Sequence, residues 1–308
     1  MSHVRIVPGS FKSAPGVLSP GAGFVAGGDL NSLNTAPERP DTWVIGDVHG
    51  CHATLSQLLE SLHKSDPACH FVFVGDLVGK GPSSLEVLKT VHSLGDRAEV
   101  ILGNHDLHLL AIHAQVTTAR AGDHLEECLQ HTALTQPEPW QWPRWLAQKP
   151  LALVVAESSG IPWLVVHAGL HPQWSVAEVM TRAMHLSQRI RSGDWSWYQN
   201  PNDPDGVTAA YLTRVRGLKK DLSLADQWTG ALDTCPPTVT PWFQVEDRAT
   251  REHATITGHW AALGLVRHQK HVSIDTGCVY GGALVALSLN SGVTRRVECL
   301  PEDRIVTD

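Results

Sequence analysis

No stretch of the sequence approaches the ~18 uninterrupted apolar residues that a membrane-crossing helix needs, and its first residues lack the charged-then-apolar pattern of a secretory signal. A soluble, cytoplasmic protein is therefore expected. CxxC pairs are missing as well. The six cysteines, Cys51, Cys69, Cys128, Cys235, Cys278 and Cys299, are scattered, which indicates neither a disulfide framework nor a thiolate zinc site. They read as small buried hydrophobes in a reducing compartment. Positive charge is not in excess either: 24 Lys and Arg stand against 31 Asp and Glu, and the net charge of −7 argues against broad non-specific nucleic-acid binding. A local basic pocket stays open. No internal repeat is visible.

What is present begins with length: 308 residues at 42% hydrophobic are enough for one large domain or two small ones with a well-buried core. The 18 histidines stand out, because imidazole is both a metal ligand and an acid–base group. Residues 1–40 are rich in Gly, Pro and Ser without a sustained period of 2 or 3.6, so they are expected to form a flexible N-terminal extension. A catalytic domain is expected over 41–308. From Asp41 onward, short apolar runs alternate with helical stretches, the pattern of an α/β protein. TWVI reads as a strand, ATLSQLLESLHK as a helix, CHFVFVG as a strand, SLEVLKTVHSL as a helix and AEVILG as a strand. PWLVVH, ATITGH, HVSID and GALVALSL add further strands.

Five of these strands end on side chains able to hold a metal. TWVIGDVHG delivers Asp47 and His49, FVFVGD delivers Asp76, VILGNHD delivers Asn104, His105 and Asp106, WLVVH delivers His167, and ATITGH delivers His259. In open α/β sheets ligands bind at the carboxyl ends of strands, so donors distant in sequence can converge there. Two Asp, one Asn and three His are the mixed oxygen and nitrogen donors that suit Mn, Fe, Co or Zn. Taken singly, Asp47 with His49 fits an Asx-turn, Asn104 fits a helix cap, and His167 or His259 fits a core histidine. The five together are what point to a metal site. GDLVGKGP fails the P-loop pattern, since no Ser or Thr follows its Lys. No cysteine has an Arg six positions later, which removes the cysteine-nucleophile phosphatases.

GDVHGC (46–51), GDLVGKGP (75–82), LGNHD (102–106), VHAGL (166–170) and TGHW (257–260) resemble the metallophosphoesterase signature shared with protein serine/threonine phosphatases. With SLEVLKTVHSLGD, LGNHDLHLLAIHA, HAGLHPQW and DTGCVYGGALVAL, the likeness tightens towards the symmetrical bis(5′-nucleosyl)-tetraphosphatases and related eukaryotic phosphatases. The resemblance implies a four-layer αββα sandwich with two mixed β-sheets. It further implies one divalent metal on Asp47, His49 and Asp76 and a second on Asp76, Asn104, His167 and His259, with Asp76 bridging. Such ions, ~3.5–4 Å apart, generate a hydroxide near neutral pH; Mn is favoured among Mn, Co, Fe and Zn. His105 is then the general acid. Where protein phosphatases carry an Asp to orient this His, Gly79 stands here, and Asp106 is the replacement candidate.

For substrate binding, Lys80 occupies a position where the family usually has Arg, although a solvated turn lysine fits too. Arg214, Arg216, Lys219 and Lys220 could steer a polyphosphate or simply form a solvated helix face. Tyr280 resembles a site-lining aromatic and equally fits a core residue. Trp clusters at 140–146 and 194–198 suit lid and core packing more than base stacking. The expected reaction is symmetrical hydrolysis of diadenosine tetraphosphate to two ADP. RNA 5′-end hydrolysis of a cap or triphosphate, a protein serine/threonine phosphatase, and a metal-free nucleotide- or partner-binding pseudoenzyme are the alternatives. No obligate protein partner and no membrane are implied.

Overall fold

Thr42, Trp43, Val44 and Ile45 alternate in direction as a strand requires: Val44 faces one side, and Trp43 and Ile45 face the other. That alternation organises the molecule, seen in a computed structural model that describes residues 40–131, 141–156, 160–200 and 202–305. The extension expected over 1–40 lies, save for Pro40, outside the described residues, as does Trp140.

The first half of the described chain runs β1 (Thr42–Ile45), α1 (His52–Ser65), β2 (His70–Phe73), α2 (Ser84–Ser93), β3 (Ala98–Val100), α3 (Asn104–His113), α4 (Glu126–Gln130) and α5 (Trp142–Ala147). It continues through β4 (Ala152–Ala156), β5 (Pro162–Val166), α6 (Val176–Ser192), α7 (Pro204–Arg214), β6 (Gly217–Leu218) and β7 (Thr240–Pro241). The remainder is β8 (Ala254–Thr257), β9 (Val266–His268), β10 (His271–Ser273), β11 (Ala283–Ser288) and β12 (Thr294–Glu298).

Two five-stranded sheets result, ordered β12-β11-β1-β2-β3 and β4-β5-β8-β10-β9, with β6 and β7 forming a small ribbon. Both sheets are mixed. β1, β2 and β3 are parallel, joined by α1 and α2 as parallel pairing demands, while β11 and β12 run antiparallel. In the second sheet β5, β8 and β10 are parallel, and β4 and β9 close its edges antiparallel. Val44, Val72 and Leu287 of the first sheet meet Val165, Ile256 and Val272 of the second, a layer of mostly β-branched side chains that suits close face-to-face packing. The outward Ile45, Phe71 and Phe73 pack with Leu55, Leu58 and Leu62 of α1, and α6 covers the other sheet through Val179, Ala183 and Leu186. Each such side chain contributes about 1.5–3 kcal/mol on burial. The expected four-layer sandwich is the observed one.

Candidate active site

The parallel strands β1, β2, β3, β5 and β8 all deliver their carboxyl ends to one edge, where the six expected donors converge. The turns there are strained: His49 (φ 49°), Asp76 (φ 49°), Lys80 (φ 68°) and His259 (φ 67°) are half of the eight non-glycine residues with positive φ among those described. Such backbone persists where surrounding structure over-determines it, and it clusters at functional sites. Gly103 shows how tight the packing is, since a Cβ there would collide with Asp76 Oδ1.

Asp76 sits at the centre. Its Oδ2 lies 3.5 Å from His49 Nε2 and 3.3 Å from His167 Nε2, and its Oδ1 accepts the His105 N–H at 2.8 Å. His167 Nε2 is 3.2 Å from Asn104 Oδ1, and His49 Nε2 is 3.8 Å from Asp47 Oδ2. The donor atoms fall into two groups, His49–Asp76–His105 and Asp76–His167–His259, each within 4.8 Å and sharing Asp76. Each of three histidines is held from behind by a backbone carbonyl: His49 Nδ1 by Val78 at 3.3 Å, His167 Nδ1 by Val74 at 2.8 Å, and His259 Nε2 by Arg214 at 3.0 Å. A ring nitrogen that donates backwards leaves the opposite nitrogen facing the centre with its lone pair, as a metal ligand requires.

Electrostatics make the same demand. Burial, reinforced by Asp275 and Asp76, pushes Asp47 well above the usual carboxylate range. Burial works to raise Asp76 too, but the His167, His105 and His49 rings outweigh it and hold that carboxyl well below the range. For His167, burial is overcome by Asp76 and Asp47, which drive it up to about 10. Asp47, Asp76 and Asp275 are at most 3% exposed, so three acids share one dry site. Divalent cations would relieve that repulsion, and the oxygen and nitrogen donors fit Mn, Fe, Co or Zn.

His105 lies beside this cluster, edge-on to His49 at 4.8 Å between ring centroids. Burial is the main influence on it and brings it down to about 4. Its Nδ1 is buried without a hydrogen-bond partner, and a Cβ at residue 79 would approach that atom to 2.7 Å. Gly79 therefore makes room for the ring. Asp106 does not orient it. Both Asp106 oxygens are committed elsewhere, accepting from Leu77 N–H at 3.0 Å and Gly103 N–H at 2.9 Å, so the carboxylate caps α3 and pins the turn after β2.

Over the cluster opens a cavity of about 660 Å³ that includes His49, Asp76, Asn104, His105 and His259 in its floor, with Lys80, Arg216, Trp260 and Tyr280 around it. Lys80 Nζ stands 5.8 Å from the Tyr280 ring centroid, and Tyr280 is 58% exposed, which excludes a core role. Of the basic quartet, only Arg214 belongs to a helix. α7 ends there, and Arg216, Lys219 and Lys220 follow it into the β6 hairpin, so they do not form a common helix face.

A family model of calcineurin-like phosphoesterases matches residues 41–221. The chain is a calcineurin-like phosphoesterase. The chain is 37% identical over 277 residues to "Bis(5′-nucleosyl)-tetraphosphatase, symmetrical" of Bordetella pertussis, covering 85% of this chain and 96% of that one. A protein of the same name from Pseudomonas fluorescens is 35% identical, with 85% and 94% covered. Among solved structures, a candidate diadenosine tetraphosphatase superposes with a TM-score of 0.56 at 26% identity, covering 87% of this chain and 97% of that one.

This phosphoesterase also holds groups that sequence reading left unassigned. Asp275 ends the HVSID strand and faces the site beside Asp47; the same rule that found Asp47 and Asp76, an acid just past an apolar strand, would have found it. Cys51, Cys278 and Cys299 bring three buried sulfurs within 4.8 Å of one another, although all six cysteines are free. Trp142 and Trp197, from the two tryptophan clusters, lie in the core, while Trp260 reaches the cavity.

Proposed function

We propose that this chain is a metal-dependent hydrolase that splits diadenosine tetraphosphate symmetrically into two ADP, with residues 41–308 as its catalytic unit. The observation that carries the reading is that His49, with Asp47 beside it, and His167, with Asn104 beside it, meet at one carboxylate, Asp76, beneath a cavity edged by Lys80 and Arg216. The name of the relatives, whose length the chain spans almost entirely, supports the substrate.

Asp47, His49 and Asp76 would hold one divalent ion and Asp76, Asn104, His167 and His259 the other, manganese being favoured. When bound, the pair supplies an activated water and neutralises charge on the central phosphates. Lys80 and Arg216 hold the tetraphosphate against this floor. A water oxygen joins one central phosphorus as the P–O bridge to the other ADP breaks, and His105 gives its proton to that departing oxygen, the negative phosphates of the substrate favouring the protonated ring against the burial that brings it down to about 4. Gly79 and the Asp76 contact to the His105 N–H keep that ring in place. The six free cysteines suit the reducing cytoplasm, where we place the enzyme.

Chromatography of products from diadenosine tetraphosphate with manganese tests the reading. ADP alone is expected, with turnover lowered about 10²–10⁴-fold in His105→Ala. AMP plus ATP, or hydrolysis confined to capped RNA, would sink it.

A further inference from the structure

Symmetrical cleavage sets a geometric requirement, because the scissile bridge lies midway between two identical nucleoside diphosphate arms. A site that cuts there needs equal room on both sides of the donor cluster. Two cavities meet this requirement. The one beneath Tyr280 and Trp260 has about 660 Å³, and a second, between α7 and the β6 hairpin, has about 760 Å³. They share Asn104, Arg216 and His259, so they join over the cluster rather than at separate places on the surface.

We propose that each cavity receives one arm, the α7 cavity taking the nucleoside diphosphate opposite the one held at Tyr280 and Trp260. This rests on the tetraphosphatase reading above. Cations are placed accordingly: Lys80 lies in the first cavity, Arg214 and Lys219 in the second, and Arg216 at the junction where the middle phosphates would lie. The walls also suit a nucleoside. In the first cavity the exposed Tyr280 ring offers a face for stacking, and the buried Trp260 forms part of the wall. In the second, α7 presents Val207 and Ala210, three residues apart on one face, opposite Leu224 of the hairpin. These short apolar side chains leave a slot for a flat base. The α7 terminus is tied directly to the site, since the Arg214 carbonyl accepts from His259 Nε2 at 3.0 Å. A small phosphate ester with a single arm would leave one of the two cavities unused.

The test compares diadenosine tetraphosphate with p-nitrophenyl phosphate, which has no second arm, on the full manganese-loaded chain. Ala210→Trp fills the slot, and Lys219→Ala removes an exposed cation. In both, KM for the dinucleotide is expected to rise about tenfold or more with kcat little altered, and the ratio of kcat/KM between the two substrates to fall in parallel. A ratio within about twofold of wild type in both variants would overturn the two-arm assignment while the wild-type enzyme still makes ADP. Wild-type protein that makes no ADP defeats the tetraphosphatase reading itself, and the arms with it.

Discussion

Gly79 marks the departure from the phosphatase pattern, and the His105 ring occupies the space that a side chain there would need. A Cβ would come within 2.7 Å of His105 Nδ1, and the backbone at Gly79 has φ 89°, a region other residues avoid. Gly79→Asp is therefore expected to push the ring off its seat instead of orienting it. Stability should fall by about 1 kcal/mol or more, and kcat towards the His105→Ala level, on the order of 10² below wild type. A variant of undiminished kcat in steady-state assays would show that the ring has another support. Asp106, next in sequence, illustrates why adjacency misleads: as the third residue of α3 its carboxylate curls back to the Gly103 N–H, away from the neighbouring ring.

At the scale of elements, β10 carries a buried histidine outside the donor cluster. His271 is fully buried between the Trp242 and Phe243 rings, its Nδ1 is 3.2 Å from Thr255 Oγ1, and its Nε2 has no hydrogen-bond partner. Burial first, then the nearby Arg248 and His268 charges, bring it down to about 3. The neutral form is the folded form, so this contribution to stability is present above the unfolded histidine value of about 6.5 and is lost as pH falls from there towards 3. Urea unfolding with manganese present should lose about 1 kcal/mol between pH 7.5 and 5.5 through this residue. His271→Gln should flatten that slope; an equal slope in the variant would assign it to other groups. Strands such as HVSID and ATIT were legible because β-branched residues recur in them, Val272 and Ile274 in one and Thr255, Ile256 and Thr257 in the other. β12 was not, for TRRVE is a half-exposed edge strand without an apolar repeat, and β6 and β7, two residues each, are too short for any period.

For the molecule as a whole, the two sheets bring together acids whose repulsion divalent cations would relieve. Chelation should therefore lower the melting temperature, and manganese at about 100 times its Kd should restore about 2.7 kcal/mol per site, readable by calorimetry. Binding must strip the proton that Asp76 and Asp47 impose on His167, driven up to about 10. Apparent affinity should rise with pH, with protons released on binding. Titration calorimetry at pH 6 and pH 8 in two buffers checks this, and pH-independent binding without proton release would contradict the ligand role of His167.

The sequence by itself determined which residue types end the strands, and so the six candidate donors, the candidate acid His105 and the α/β architecture. Those signals are local: an apolar run of a few residues sets a strand, and the next polar side chain falls at its end. Only the tertiary structure decided which donors share an oxygen, because His49, Asp76 and His167 meet through two different sheets. It also decided the commitment of Asp106 to a cap, the place of Asp275, the gathering of three cysteines and the junction of two cavities over one cluster. Each depends on contacts between segments far apart in the chain, whose distances are set by sheet packing and carry no trace in local periodicity.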